Sequence, residues 1–237
     1  MPQIEGLMQN TPEWLMQRIG MCTGSKVADV IGRKKQTKAQ IEKGEVAEYL
    51  KGRDDYMWDV VVERLTGRAT DHYISPAMEH GTDTEPLARA AYETAMDVDV
   101  KHGGFFVHPQ MEWFGASPDG LIGTDGILEI KCPTTRVHLQ YLKDDEIPID
   151  YAPQMLAELA CTERKWCDFV SYDDRLPANM RLFIKRFERN DALIAGMEAE
   201  VKTFLEDVIL RLGELAERFG KSESKRAEVA NYPGIVP

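Results

Sequence analysis

The chain has 237 residues, 40 acidic against 29 basic, for a net charge of −11. Hydrophobic residues make up 43%, enough for a sizeable core, yet no apolar run reaches the roughly 20 residues that cross a bilayer and no basic-then-apolar leader opens the chain. A membrane protein is excluded on this reading and a cytoplasmic one expected; the acidic balance weighs against a protein that coats DNA, but not against an enzyme with a local basic channel.

Thr11-Pro12-Glu13 reads as a cap followed by proline at the first helical position, so a helix starts there and ends near Gly20. A second helix begins near Ser25. Segment 33–53 carries seven basic and three acidic residues with Gly44 and Gly52, among them Arg33, Lys34, Lys35 and Lys38. It reads as a solvated loop and helix, or as a strip that tracks DNA. Residues 54–66 read as a helix with Tyr56, Met57, Val60, Val61 and Leu65 facing inward. Ser75-Pro76 starts another helix, Pro86 implies a kink or restart around Glu85, and 86–96 is helical. Phe105-Phe106-Val107 is the expected first sheet strand. Beyond the central hairpin, 134–150 reads as a linker, 151–163 as an amphipathic helix carrying Gln154, and 168–172 and 181–187 as strands. A long helix runs from Asp191 to about Phe219, and its stripe of Leu193, Met197, Val201, Phe204, Val208, Leu212 and Leu215 packs on the core or on a neighbouring subunit. Residues 1–220 are expected as one domain, followed by a loosely held tail at 221–237.

The residues that carry chemistry lie mid-chain, in Ser117-Pro118-Asp119-Gly120 and Leu128-Glu129-Ile130-Lys131-Cys132-Pro133. Between them Asp125-Gly126 signals a tight turn, flanked by Leu121-Ile122 and Ile127-Leu128. The reading is strand, turn, strand, with Leu128 and Ile130 on one face and Glu129 and Lys131 on the other. Asp119, at the start of the partner strand, meets Glu129 across the hairpin. Magnesium takes oxygen ligands, usually one or two carboxylates plus substrate phosphate. Two such ions clamp the attacking and leaving oxygens of a phosphodiester displacement. A lysine beside them orients or deprotonates water. An ordinary surface hairpin with a weak Glu–Lys pair is the bland alternative.

These segments, with Trp14 to Gly20, Thr23-Gly24-Ser25, Gly81 to Pro86 with Ala88-Arg89, and Ala152-Pro153-Gln154-Met155, resemble the bacteriophage lambda exonuclease family of viral recombinase, YqaJ-like alkaline exonucleases. That family sits within the Pro-Asp…Asp/Glu-x-Lys nuclease superfamily. The resemblance spans roughly residues 12–190. It implies an α/β, restriction-endonuclease-like core, a central mixed sheet flanked by helices, with a long C-terminal helix added. It implies Mg2+ (Mn2+ substituting), two ions per site, held by Asp119, Glu129, the Ile130 carbonyl and Glu85. Lys131 then positions or activates water, and Gln154 orients water or phosphate.

Arg18, Ser25 and Ser117 form a separate set. Ser25 near a helix start offers free amides to a phosphate, and an arginine adds a bidentate grip. At the matching family positions such residues hold the DNA 5′-phosphate; a helix cap, a surface ion pair and a turn hydroxyl are the ordinary alternatives. Cys22, Cys132, Cys161 and Cys167 show no CxxC spacing and read as inert thiols rather than cluster ligands. His72, His80, His102, His108 and His138 show no paired zinc spacing.

The expected activity is 5′-to-3′ digestion of one strand of linear double-stranded DNA to mononucleotides, leaving a 3′ single strand for recombination by annealing. The resemblance further implies a homotrimer, a single-strand annealing protein as partner, and a phage or prophage origin in a bacterial host. The alternatives are a structure-specific or restriction-type endonuclease, an inactive DNA-binding accessory subunit, and a zinc- or cluster-binding module.

Overall fold

The computed structural model describes Gln9, residues 11–70 and residues 75–220, the side chain of Ala77 excepted; the expected tail at 221–237 and His72 lie outside the described residues. Thr11 caps α1 (Pro12–Arg18), its hydroxyl accepting from the Trp14 amide at 3.3 Å. Then come β1 (Cys22–Thr23), a 3-10 turn at Gly24–Lys26, α2 (Val27–Ile31), α3 (Lys38–Glu42), α4 (Lys51–Thr66) and α5 (Pro76–Met96). Five short strands follow: β2 (Val100–His102), β3 (Phe106–Val107), β4 (Phe114–Ala116), β5 (Gly120–Ile122) and β6 (Gly126–Lys131). The chain closes with α6 (Thr135–Asp144), α7 (Ala152–Thr162), β7 (Trp166–Tyr172), β8 (Leu182–Glu188) and α8 (Asp191–Phe219).

The main sheet has the order β2-β5-β6-β7-β8, and a smaller one the order β1-β4-β3. In the main sheet β6 and β7 run parallel and the other pairs antiparallel, so it is the expected mixed sheet. Alternation along β6 divides the core. Ile127 joins Phe169 in a cluster with α2, α4, α7 and α8 on one face. Leu128 and Ile130 pack with Ala88 and Tyr92 of α5 on the other. Glu129 and Lys131 share the Ile127 face, which aims them at α7. Among the described residues no helix is long and apolar enough to cross a membrane.

Several expectations need correction. The hairpin loop is Gly123-Thr124-Asp125, with the left-handed residue at Gly123 (φ 51°); Gly126 already pairs with Ile122 in the ladder. Helix α5 continues through Pro86 with no restart, although the proline withholds a donor from the Thr82 carbonyl. Residues 134–150 hold α6, missed because its buried anchor is His138, bonded to Ser171 Oγ at 2.7 Å and the Met180 carbonyl at 2.9 Å. Strands β1 and β2 precede the Phe106 strand. Leu65 and Leu193 are more than half exposed. On α4 the inward steps run 53, 56, 57, 60, 61, 64, so Arg53 and Arg64 are buried instead. On α8 the buried stripe is Ile194, Met197, Val201, Phe204, Leu205, Val208 and Leu212, with Leu215 partly covered. The basic segment is partly neutralised: Arg33 pairs with Glu200 at 2.7 Å and Arg53 with Asp207 at 2.8 Å, both on α8.

The placement of α8 can be tested by truncation. Phe204→Ala should lower stability by about 3–5 kcal/mol and Leu193→Ala by less than about 0.5 kcal/mol, read from urea midpoints at constant m-value. Equal losses would contradict the buried face.

Candidate active site

The Pro118-Asp119 turn enters β5 beside the middle of β6. Asp119 Oδ2 accepts from the Ile130 amide at 2.7 Å, which fixes the carboxylate across the hairpin as expected. Glu129, 1% exposed, projects towards α7. There Gln154 Nε2 donates to Glu129 Oε1 at 2.6 Å and to Glu158 Oε1 at 2.9 Å. Lys131 Nζ pairs with Glu129, donates to Gln154 Oε1 at 3.4 Å and lies 5.2 Å from the Tyr151 ring centre. Glu85 arrives from α5 on the opposite side, 3.5 Å from Arg89.

The electrostatics are unbalanced. Asp119, Glu129, Glu158 and Glu85 gather around Lys131 and Arg89, and Glu129 Oε2 and Glu158 Oε2 are buried without a hydrogen-bond partner. Burial, then Glu129, pushes the Asp119 carboxyl well above the usual carboxylate range, and the same two causes do so for Glu158. Burial also raises Glu85, against the pull of Arg89. Burial pulls the Lys131 ammonium down, but Glu129 and Asp119 outweigh it and hold the group above its ordinary value. Excess buried carboxylate with unpaired oxygens fits a hard divalent cation. Among the described residues no three histidine, cysteine or carboxylate side chains form a ready-made cage. The described cysteines are free, three of them buried.

All nine residues singled out from the sequence line one cleft of about 420 Å³: Asp119, Glu129, Ile130, Lys131, Glu85 and Gln154 together with Arg18, Ser25 and Ser117. Another depression, of about 370 Å³ between α4 and α8, is lined by ion-paired surface residues such as Arg211 and Asp54 and gathers no comparable carboxylate set. In the cleft, Trp14 Nε1 donates to Ser117 Oγ at 3.0 Å, while the Arg18 guanidinium stacks 3.9 Å over the Trp14 ring. Burial pulls the Arg18 pKa down to about 10, against Tyr56 and Glu63. Ser25 sits in the 3-10 turn before α2. Gln9 Nε2 donates to the Pro118 carbonyl at 3.1 Å.

Five of these participants were given no role from the sequence: Gln9, Trp14, Arg89, Tyr151 and Glu158. Trp14 and Arg89 stand in the stretches that carry the family resemblance, and Glu158 left a signal of its own. It is the lone charge in the apolar run Met155–Cys161, and it stands four residues beyond Gln154, on the same helical face.

The model of the YqaJ-like viral recombinase domain matches residues 13–165. An alkaline exonuclease, LHK-Exo from Laribacter hongkongensis, is 42% identical, with 89% of this chain and 99% of that chain covered and a TM-score of 0.78. The structure of LHK-Exo in complex with dAMP gives the same identity and coverage with a TM-score of 0.79. A phage related exonuclease from Haemophilus somnus 129PT shares the fold at 15% identity and TM-score 0.60, over 82% of this chain and 96% of that one. No curated protein matches.

The raised carboxyls give a signed pH dependence. Their folded values exceed the unfolded ones, so their contribution to stability is fully present below the unfolded value and lost as pH rises through the folded one. Metal-free protein should therefore weaken as pH rises, and Mg2+ should raise Tm more at about pH 8 than at about pH 5. A Tm indifferent to Mg2+ at both values would count against a cation at this cluster.

Proposed function

This chain belongs to the YqaJ-like viral recombinase family, and we propose that it is a magnesium-dependent exonuclease that digests one strand of linear double-stranded DNA from its 5′ end. The products are mononucleotides and a 3′ single-stranded overhang suited to recombination by annealing. The observation that carries this reading is the single cleft. An under-neutralised carboxylate cluster with a lysine shares it with an arginine and two serines.

Asp119, Glu129 and the Ile130 carbonyl would hold Mg2+, with Mn2+ able to substitute and Glu85 serving a second ion. When bound, such ions offset the charge that develops on the phosphoryl and leaving oxygens. Lys131 is held above its ordinary value, so it stays an ammonium at neutral pH. In that state it orients the attacking water and offsets phosphate charge rather than removing a proton. Gln154 bridges Lys131 and Glu129 and keeps both aimed into the cleft. Arg18, Ser25 and Ser117 supply cation and hydroxyl donors to a terminal 5′-phosphate, and Trp14 holds Arg18 and Ser117 together. A phosphate captured there after each cut sets the direction of travel. A mononucleotide product is supported by the 42%-identical relative solved with dAMP.

The resemblance to the lambda exonuclease family supports further parts of the reading. These are a homotrimer that threads DNA, a single-strand annealing protein as partner, and a phage or prophage enzyme of the bacterial cytoplasm. One nuclease domain would span 1–220, with 221–237 as its tail.

Linear duplexes labelled separately at each terminus, with 5′-phosphate or 5′-hydroxyl ends and Mg2+, test the polarity. Early release of the 5′ label as mononucleotide is expected, with covalently closed circles left intact. Release from the 3′ end, or nicking of circles, would overturn the reading in favour of another polarity or an endonuclease. Lys131→Ala should lower kcat at least about 100-fold with DNA binding retained. Arg18→Ala should narrow the preference for 5′-phosphate over 5′-hydroxyl ends; an unchanged preference would move the anchor elsewhere.

A further inference from the structure

Arg89 lies one helical turn beyond Glu85 on α5, next to Ala88, which packs against the main sheet. Its side chain is 14% exposed. Nη2 donates to the Asp119 carbonyl at 2.5 Å and lies 3.5 Å from Glu85 Oε1. One guanidinium thus touches the backbone of one carboxylate-bearing residue and the side chain of another. Nη1 is buried without a hydrogen-bond partner. It lies so close to residue 120 that a Cβ there would stand 3.2 Å from it and 2.2 Å from Val100 Cγ1, which is why the residue after Asp119 is glycine. Leaving a buried donor unpaired is destabilising. Global stability does not require that arrangement, since an apolar side chain would fill the space without the unpaired donor.

We propose that Arg89 is a positioning residue that locks the helix carrying Glu85 to the turn carrying Asp119, and so fixes the separation of the two carboxylates across which divalent cation binds. This rests on the reading of the cleft as a metal-dependent nuclease site. Both contacts are made by Nη2; a lysine keeps the charge, but its ammonium stands where arginine has Cζ, one bond short of that atom, and does not reach both acceptors. Gln9 braces the same turn, with its 3.1 Å bond to the Pro118 carbonyl and longer 3.4 Å contacts to the Ser117 carbonyl and Asp119 Oδ1. Asp119 is therefore held at its carbonyl by Arg89 and at Oδ2 by the Ile130 amide. Oδ1, with only the long contact to Gln9, is the oxygen left to face a cation.

The test compares wild type, Arg89→Lys and Arg89→Ala for Mn2+ affinity, read by electron paramagnetic resonance of the free ion, and for Tm, kcat and KM on a linear duplex. Both variants should bind Mn2+ about tenfold more weakly or worse, as expected when a group that orients a metal ligand is lost. kcat should fall with KM for DNA unchanged, and excess Mn2+ should restore much of the kcat of Arg89→Lys. Adding Glu85→Gln to Arg89→Ala should cost little more, because the two act as one unit. A folded Arg89→Lys with wild-type Mn2+ affinity overturns the proposal, and so does a kcat loss that excess metal leaves untouched. Should Arg89→Ala fail to fold, Arg89→Lys alone decides. A wild-type protein whose Mn2+ affinity depends on Arg89 but which cuts no DNA overturns the functional reading and leaves this one standing.

Discussion

Ionised carboxylates cost several kcal/mol each to bury unless their oxygens are paired, and this fold crowds Asp119, Glu129 and Glu158 into one interior corner. Lys131 answers Glu129, and Gln154 bridges Glu129 and Glu158, yet Glu129 Oε2 and Glu158 Oε2 keep no partner. Much of the architecture serves that imbalance. The apolar face of β6 fixes Leu128 and Ile130 against α5, which forces Glu129 and Lys131 the other way. Helix α7 then brings an amide and a further acid to meet them. The arrangement is costly as a folded protein alone and sensible as one half of a cation site.

The cleft joins that charged corner to Arg18 and Ser25, from a distant part of the chain. Helix α1 reaches Ser117 through the Trp14 indole and stacks Arg18 on the same ring. Ser117 stands two residues before Asp119, so the proposed phosphate anchor and the carboxylates share one turn. Arg89 and Gln9 both brace that turn. On the proposed reading, direction of cutting and the ability to cut are coupled through very few residues.

Much of this was legible in the sequence where the signal was local. The alternation of Leu128 to Lys131, the cap at Thr11 and the long apolar stripe of α8 depend on neighbours a few residues away, and they gave the hairpin, α1 and α8 in outline. The nine site residues came from motif spacing and family resemblance, and one cleft collects them. What failed depended on tertiary context. Leu65 and Leu193 lie one position off the buried face, a phase that only packing decides. Helix α6 hides its anchor in a histidine, and Pro86 is tolerated inside α5. Gln9 and Arg89 act on a turn 109 and 30 residues away, respectively, and no periodicity reports such contacts.

The central claim is that a divalent cation completes the carboxylate corner. Anomalous diffraction from crystals grown with Mn2+ and a 5′-phosphorylated duplex tests it most directly. The account predicts a manganese peak bounded by Asp119 Oδ1, Glu129 and the Ile130 carbonyl, with the terminal phosphate against Arg18. A metal-free corner with the carboxylates bonded to one another, and the DNA end lying elsewhere, would contradict it.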